Sequence, residues 1–554
     1  MRILLLTHGF NSLTQRLFVE LTGRGHELSV EFDIADSVTE EAVALFRPDL
    51  ILAPYLRRAI PESIWMNHVC LVVHPGIPGD RGPSALDRAI QDGETEWGVT
   101  LLQANAVMDG GDIWVSRNFP TRQAMKSSLY RNEVTEAATQ AVLDALAGLA
   151  AGNFKPLPLA AAKVRGRERP LLGQEERAIH WTLDDTLTVL RKIHAGDGFP
   201  GVKDRLFGEA CFLHDAHAAE AASGEAGAIL GRSGHGLIRA TTDGAVWIGH
   251  VRRPDGPHPF KLPVSQAFPL DWAALPELSG APEEIRYGEA DGVGYLHFDF
   301  YNGAMATEQC RGLQAAVEAA RRRPIRVLVL MGGRDFWSNG IHLNRIEAAE
   351  SPAEESMANI EAMDDLALAL LTTDGQLTVA ALGGNAGAGG CFLALACDVV
   401  WARPGVILNP HYKNMGNLYG SEYWTYSLPK RVGEVRARAI LQNRLPLGAA
   451  DALVQGIIEE VFAGDGAAFR REVKARAAAM AASADFPARL EAKATARRQD
   501  EAQKPLANYR DEELAEMRRN FFGFDPSYHV ARFHFVHKSL VAWTPRHLAR
   551  HRDA

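Results

Sequence analysis

His74 follows directly on the apolar run Cys70–Val73 and opens a loop, Pro75 to Ser84, punctuated by Gly76, Gly79 and Gly82. Glycine has no side chain to obstruct a ligand, so such a loop keeps backbone groups close to a bound molecule. Further on, after Trp97–Leu102, the stretch Met108–Asp112 is a glycine turn that presents Asp109 at a strand end. An imidazole and a carboxylate converging on one cleft can orient a proton and stabilise an oxyanion. A packed histidine and a turn-capping aspartate fit the same residues. A second group begins at Ala381, where a strand runs through the glycine loop Gly383–Gly390 into an apolar helix ending near Asp398. The GxGxxG spacing fails and no acidic residue follows at the end of a second strand, which argues against a dinucleotide loop. Downstream lies Asn409–Trp424, rich in Tyr, His and Glu. There Tyr412 and Glu422 offer a hydroxyl donor and a base, or alternatively a hydrogen-bonded aromatic cluster.

The block Val73–Asp112 resembles the formyl-folate transferases and hydrolases that use 10-formyltetrahydrofolate, methionyl-tRNA formyltransferase among them. Their pattern is a strand ending in Asn-x-His, a Pro/Gly loop, a Gly-Val-Thr strand (here Gly98-Val99-Thr100) and an Asp-x-Gly turn. The resemblance implies that His74 and Asp109 are catalytic and that residues 166–270 form the family's C-terminal barrel. One position departs. Val72 stands where the family has its catalytic Asn, and losing one oxyanion donor costs about 10²–10³ in rate. Either backbone amides replace it or the acceptor is an easier nucleophile, such as a thiol.

With Phe336–Leu343 upstream, residues 285–460 resemble the crotonase superfamily of acyl-CoA hydratases and isomerases. That resemblance implies that the N–H groups of Ile341 and Gly389 hold a thioester carbonyl. The two hydratase glutamates are absent: Phe392 and Pro410-His411 occupy their places, which counts against ordinary hydration chemistry. The fusion of the two modules, together with the Tyr412–Glu422 segment, resembles the HoxX family of hydrogenase maturation proteins over essentially the whole chain. The resemblance implies formyl transfer from 10-formyltetrahydrofolate to coenzyme A. Decarbonylation of formyl-CoA to CO and CoA follows, the CO serving as an iron ligand of [NiFe] hydrogenase, with maturation proteins as partners. Arg131, Gln442 and Arg532 are the expected contacts to CoA. Two other readings are a formyltransferase with an independent acyl-CoA hydrolase or isomerase, and a non-catalytic folate- or CoA-binding scaffold.

The elements that must position these residues follow from apolar patterning. Arg2–Thr7, Leu28–Phe32, Leu50–Leu52 and Cys70–Val73 read as buried strands with helical patterns between them, which predicts a doubly wound α/β domain over 1–165. Short strands with glycine turns predict a small β-rich module over 166–270, and a proline-containing linker follows at 271–284. Strand–helix alternation then restarts as a crotonase-like α/β domain over 285–460, and residues 461–554, rich in Ala, Arg, Glu and Lys, read as a helical C-terminal region. The 554 residues carry 47% hydrophobic and 23% charged residues and a net charge of −9, an ordinary globular balance without the basic face of a nucleic-acid binder. Arg321-Arg322-Arg323 with Arg326 read as a cationic helix end. The five cysteines lack CxxC spacing, which argues for a reducing compartment and against structural zinc. The apolar start Met1–Leu6 is too short for a signal peptide and no run approaches the roughly 20 residues of a membrane span, so a cytoplasmic enzyme is expected. His529, His534, His537, His547 and His551 have no acidic or Cys partner at site-like spacing, and no metal is expected.

Overall fold

The apolar runs of the first module become β1 (Arg2–Thr7), β2 (Glu27–Phe32), β3 (Leu50–Tyr55), β4 (Cys70–His74), β5 (Glu96–Gln103) and β6 (Ile113–Pro120). The computed structural model describes residues 1–152, 154–162, 164–220 and 223–553. These six strands form one sheet in the order β2-β1-β3-β4-β5-β6. β1 to β4 are parallel, and their continuous apolar sequences suit strands covered on both faces. β5 and β6 run antiparallel, a departure from uniform parallel winding. Only Ala104–Asp112 joins them, shorter than the dozen or so residues that a parallel crossover takes. β1 pairs with β2 on one side and β3 on the other. The winding therefore reverses between β1 and β3, where ligands of open α/β sheets bind beyond the strand C-termini.

The β-rich module is an antiparallel sheet of β7 (Val202–Leu206), β8 (Glu209–Ala218), β9 (Ile229–Ser233), β10 (Gly236–Ala240), β11 (Ala245–Arg252) and β12 (Lys261–Pro263). Its order is β7-β8-β11-β10-β9, with β12 on β11. The helix Thr186–Gly196 packs against β8, and Leu237, Ile238, Val246, Ile248 and Val251 are fully buried.

Residues Glu283–Ser539 form a separate unit from Met1–Pro282. Its main sheet contains β13 (Ile285–Ala290), β14 (Val293–Phe298), β15 (Val327–Leu330), then, beyond a short β16 (Phe336–Ser338), β17 (Leu377–Leu382). After β18 (Asn385–Gly387) come β19 (Val399–Ala402), β20 (Ile407–Asn409), β21 (Leu447–Gly448) and β22 (Glu460–Val461). The order β13-β14-β15-β17-β19-β22 is parallel from β14 onward. The short strands make a second sheet, β16-β18-β20-β21. Each of β16, β18 and β20 continues the chain just past the C-terminal end of a main-sheet strand. The loops beyond them are thereby brought together. Leu296, Leu328, Leu330, Leu366, Phe392 and Leu393 fill the core between sheet and helices, each worth about 1.5–3 kcal/mol on burial.

The helices Gly466–Ala482, Phe486–Gln503, Leu506–Phe522 and Ser527–Val536 belong to this second unit. The stretch expected as one helical region divides after them, since Leu540–Ala554 belongs with the first unit. That tail lies along β2, an edge strand whose N–H groups need partners. Val30 N–H donates to Leu548 O (3.0 Å) and Phe32 N–H to Thr544 Oγ1 (2.8 Å). His551 bridges Ser29 Oγ (2.6 Å) and Glu31 Oε2 (3.0 Å), and Arg552 Nη2 reaches Glu31 Oε2 at 2.8 Å. Among the described residues, no helix is long and apolar enough to cross a membrane.

Candidate active sites

His74 ends β4 and is buried. Its Nδ1 lies 3.4 Å from Asp109 Oδ2, and its Nε2 lies 3.2 Å from Asp80 Oδ1. The imidazole thus stands between two carboxylates rather than against one. Asp80 is held in turn by Arg169 Nη2 at 3.0 Å. Asp109 has φ 53°, a left-handed conformation that favours glycine, and accepts a hydrogen bond from Gly82 N–H (3.3 Å). Gly82 itself has φ 122°, and a Cβ there would fall 2.2 Å from Arg169 O. A Cβ on Gly76 would fall 2.3 Å from His74 Nε2, so the glycines of the loop make room for the imidazole and its partners. Thr100 Oγ1 donates to Gly76 O (2.7 Å) and Trp97 Nε1 to Pro75 O (2.9 Å), pinning the loop to β5. Val72 occupies β4 two residues before His74 and has no polar side-chain atom. Asp80 and Arg169 were not singled out from the sequence. Asp80 belongs to the loop Pro75 to Ser84, but nothing in the spacing ties Arg169 to it.

In the second unit, β16 pairs in parallel with β18, which draws the Ile341 loop alongside Gly389. A Cβ on Gly340 would fall 3.3 Å from Gly389 N. Among the described residues, no acceptor meets the N–H of Ile341 or Gly389. Gly389 opens the helix Gly389–Leu395, where first-turn N–H groups lack intrahelical partners. The preceding Ala388 has φ 48°. The Glu422 carboxylate stands against this corner, since a Cβ on Gly389 would lie 2.4 Å from Glu422 Oε1. Tyr412 donates its hydroxyl to Glu422 Oε2. The Tyr412 ring stacks on Phe392, with centroids 5.2 Å apart. The sequence candidates Ile341, Gly389, Tyr412 and Glu422 therefore converge, with Phe392 beside them.

Glu422 and Tyr423 both adopt left-handed φ, 60° and 58°. Two carboxylates hold that turn. Asp364 Oδ1 accepts the Glu422 N–H (2.7 Å), while Glu513 accepts the N–H groups of Tyr423 (2.9 Å) and Thr425 (2.8 Å). Burial pushes the Glu422 carboxyl up to about 7, against the lowering effect of the Tyr412 hydrogen bond. Burial raises Glu513 to about 8 and Asp364 well above the carboxylate range, with the charge of Glu422 adding to both. Asp364 lies on the helix Pro352–Leu371 and Glu513 on Leu506–Phe522. Neither carries a sequence signature. Each is a helical acid indistinguishable along the chain from a solvated one.

The residues expected to contact CoA lie on three different elements. Arg131 lies in the π-helical turn Tyr130–Val134 of the first unit. Gln442 is exposed on the helix Glu434–Asn443. Arg532 is buried, paired with Glu347 Oε2 (2.6 Å) and in contact with His529 Nδ1 (2.8 Å). Among the described residues, no hydrogen bond or ion pair joins Gln442 or Arg532 to Tyr412 or Glu422.

Comparison with known proteins places these geometries in families. The formyl transferase family model matches residues 30–146, the formyl transferase C-terminal domain 171–258, and the enoyl-CoA hydratase/isomerase family 290–521. The hydrogenase maturation factor HoxX of Bradyrhizobium diazoefficiens is 56% identical over 100% of this chain and 97% of its own. The crystal structure of HypX from Aquifex aeolicus in complex with tetrahydrofolic acid superposes with a TM-score of 0.96 at 46% identity. It covers 100% of this chain and 99% of that one. The methionyl-tRNA formyltransferase of Ralstonia pickettii is 26% identical over 45% of this chain and 76% of its own.

Proposed function

This chain belongs to the HoxX family of hydrogenase maturation factors, and from that premise we propose that it makes carbon monoxide in two steps. In the first, the CoA thiol attacks the formyl group of 10-formyltetrahydrofolate. The new C–S bond forms, the C–N bond breaks, and the thiol proton is transferred to the departing folate nitrogen. His74, poised between Asp80 and Asp109, relays that proton, and a carboxylate-flanked imidazole stabilises the tetrahedral oxyanion. A thiolate is a strong enough nucleophile to tolerate Val72 in place of an oxyanion donor.

In the second step formyl-CoA loses its C–S bond. The proton on the formyl carbon leaves to a base, the sulfur departs and is protonated, and CO and CoA result. The N–H groups of Ile341 and Gly389 hold the formyl oxygen, and Glu422 takes the proton while Tyr412 orients the carboxylate. The single observation that carries this reading is the Glu422 carboxylate standing against Gly389, beside the N–H groups of Ile341 and Gly389, which meet no acceptor among the described residues. A carboxyl raised to about 7 is suited to take and return a proton near neutrality. Phe392, stacked on Tyr412, stands where hydratases carry a glutamate, so that water-activating carboxylate is replaced by an apolar ring.

Purified protein given 10-formyltetrahydrofolate and CoA should turn deoxyhaemoglobin to its CO adduct. Glu422→Gln should retain formyl-CoA formation and release no CO; equal loss of both steps would contradict the division of labour. His74→Ala should slow formyl transfer by about 10²–10⁴. Unchanged maturation in that variant would favour the non-catalytic scaffold. Turnover of long-chain acyl-CoAs would favour an independent hydrolase or isomerase.

A further inference from the structure

Away from both reaction centres, the β-rich module gathers Asp215 from β8, His250 from β11 and His235 from the turn between β9 and β10. β10 pairs with β11 so that Leu237 faces Ile248. Two residues back along that register His235 comes opposite His250, with ring centroids 5.1 Å apart. On the other side of β11, Ala216 faces Ile248 and His214 faces His250, which sets Asp215 across from Gly249. Asp215 has φ 54°, a strained conformation for a residue with a side chain. A Cβ on Gly249 would lie 2.3 Å from Asp215 Oδ2. The strand pair thus forgoes a side chain and regular backbone geometry where the carboxylate sits. His250 Nδ1 lies 2.7 Å from Asp215 Oδ2, and His217 Nε2 lies 3.1 Å from Oδ1. Trp247 forms a wall, its ring 5.2 Å from His235 and 5.8 Å from His217. Burial opposes ionisation of Asp215, yet the hydrogen bonds from His217 and His250 hold its carboxyl well below the usual range. Asp215 and His250 are buried, while the His217 side chain is 41% exposed, so the cluster is reached from solvent on that side.

We infer that Asp215, His235 and His250 bind one divalent transition-metal ion of the zinc–iron(II) class. One candidate ligand atom from each lies within 4.8 Å of the other two. Two imidazoles with one carboxylate suit zinc or iron(II), whereas magnesium and calcium select oxygen ligands. Metal–nitrogen and metal–oxygen bonds of about 2.0–2.2 Å put neighbouring ligand atoms about 3–3.5 Å apart. The 2.7 Å gap between His250 Nδ1 and Asp215 Oδ2 therefore opens by less than about 1 Å when an ion replaces the shared proton. That proton is released to solvent, so uptake weakens as pH falls. His217, on the other carboxylate oxygen, stays outside the ligand set and orients Asp215.

The test is a titration of chelator-treated full-length protein with Co²⁺, followed by visible absorption and then by Zn²⁺ competition. One equivalent should bind more tightly than about 0.1 mM, with a d–d spectrum that Zn²⁺ abolishes. Because Asp215→Asn risks unfolding the module, the half-buried His235→Gln is the deciding variant, with circular dichroism to confirm its fold. It should weaken uptake at least tenfold. Stoichiometric binding that survives His235→Gln, or no binding by the parent protein below that concentration, would overturn the assignment.

Discussion

Glu422 is the residue on which the proposed second step turns, and two neighbouring acids keep it in place. Asp364 accepts the Glu422 N–H through Oδ1, while its Oδ2 meets no partner among the described residues. Asp364→Asn keeps the accepting oxygen and removes the charge. The folded-state carboxyls of Asp364, Glu422 and Glu513 are raised by burial. Folding therefore binds protons, and the stability they contribute is complete below about pH 4 and lost as pH rises, through about 7 for Glu422 and about 8 for Glu513. Calorimetry should show the second unit melting lower at pH 9 than at pH 5, and Asp364→Asn should flatten that slope. In the first unit, Arg169→Ala leaves the buried Asp80 without its guanidinium. Removing one partner of a buried pair costs about 3–5 kcal/mol, so that unit should melt early and lose formyl transfer with it. An Arg169→Ala protein of parental stability would remove Asp80 from the site's support.

The elements that set these residues are short. β16 and β18 have three residues each, yet their pairing is what brings Ile341 alongside Gly389. Gly390 makes that approach possible, because a Cβ there would lie 2.2 Å from Ser338 O. Gly390→Ala should push the helix Gly389–Leu395 off β16 and separate the two N–H donors. The expected result is loss of CO release, about 10²–10³ for one displaced donor, with formyl-CoA formation retained. An undiminished CO yield from Gly390→Ala would show that the donors do not act as a pair. In the β-rich module the register of β8, β11 and β10 does similar work by lining up Asp215, Gly249, His250 and His235.

Across the chain, these buried acids are shifted in opposite directions in the two units, Glu31 downward in the first and Asp364, Glu422 and Glu513 upward in the second. The tail Leu540–Ala554 supplies His551, Thr544 and Arg552 to Glu31 in the first unit. Burial alone would raise the Glu31 carboxyl, but these partners together lower it. Its contribution is therefore present above the usual carboxylate range and lost as pH falls through the lowered value. Acidification should lower the melting of the first unit and spare the second, whereas alkalinity should do the reverse. A chain shortened before Leu540 should lose the acid-sensitive part and expose the β2 edge. Its first transition should fall by about 3–5 kcal/mol, the cost of a buried charge losing its partners, and an unchanged transition would deny the tail that role.

Residue type and spacing along the chain single out His74 with Asp109 and Tyr412 with Glu422 as candidates, while family resemblance supplies the two-module plan and the Ile341 and Gly389 donors. Such groups sit at strand ends beside glycine loops, where short-range pattern and chemistry coincide. Folding alone joined His74 to Asp80 and Arg169, Glu422 to Asp364 and Glu513, and Asp215 to His235 and His250. The positions within each set lie far apart along the chain, or in ordinary-looking helices and turns. Their meaning arises from burial, which leaves a carboxylate short of water and makes every nearby donor count. The stretch after residue 460 is legible only as helical for the same reason. Its composition predicted helix, but which neighbours those helices cover depends on packing that no local pattern encodes.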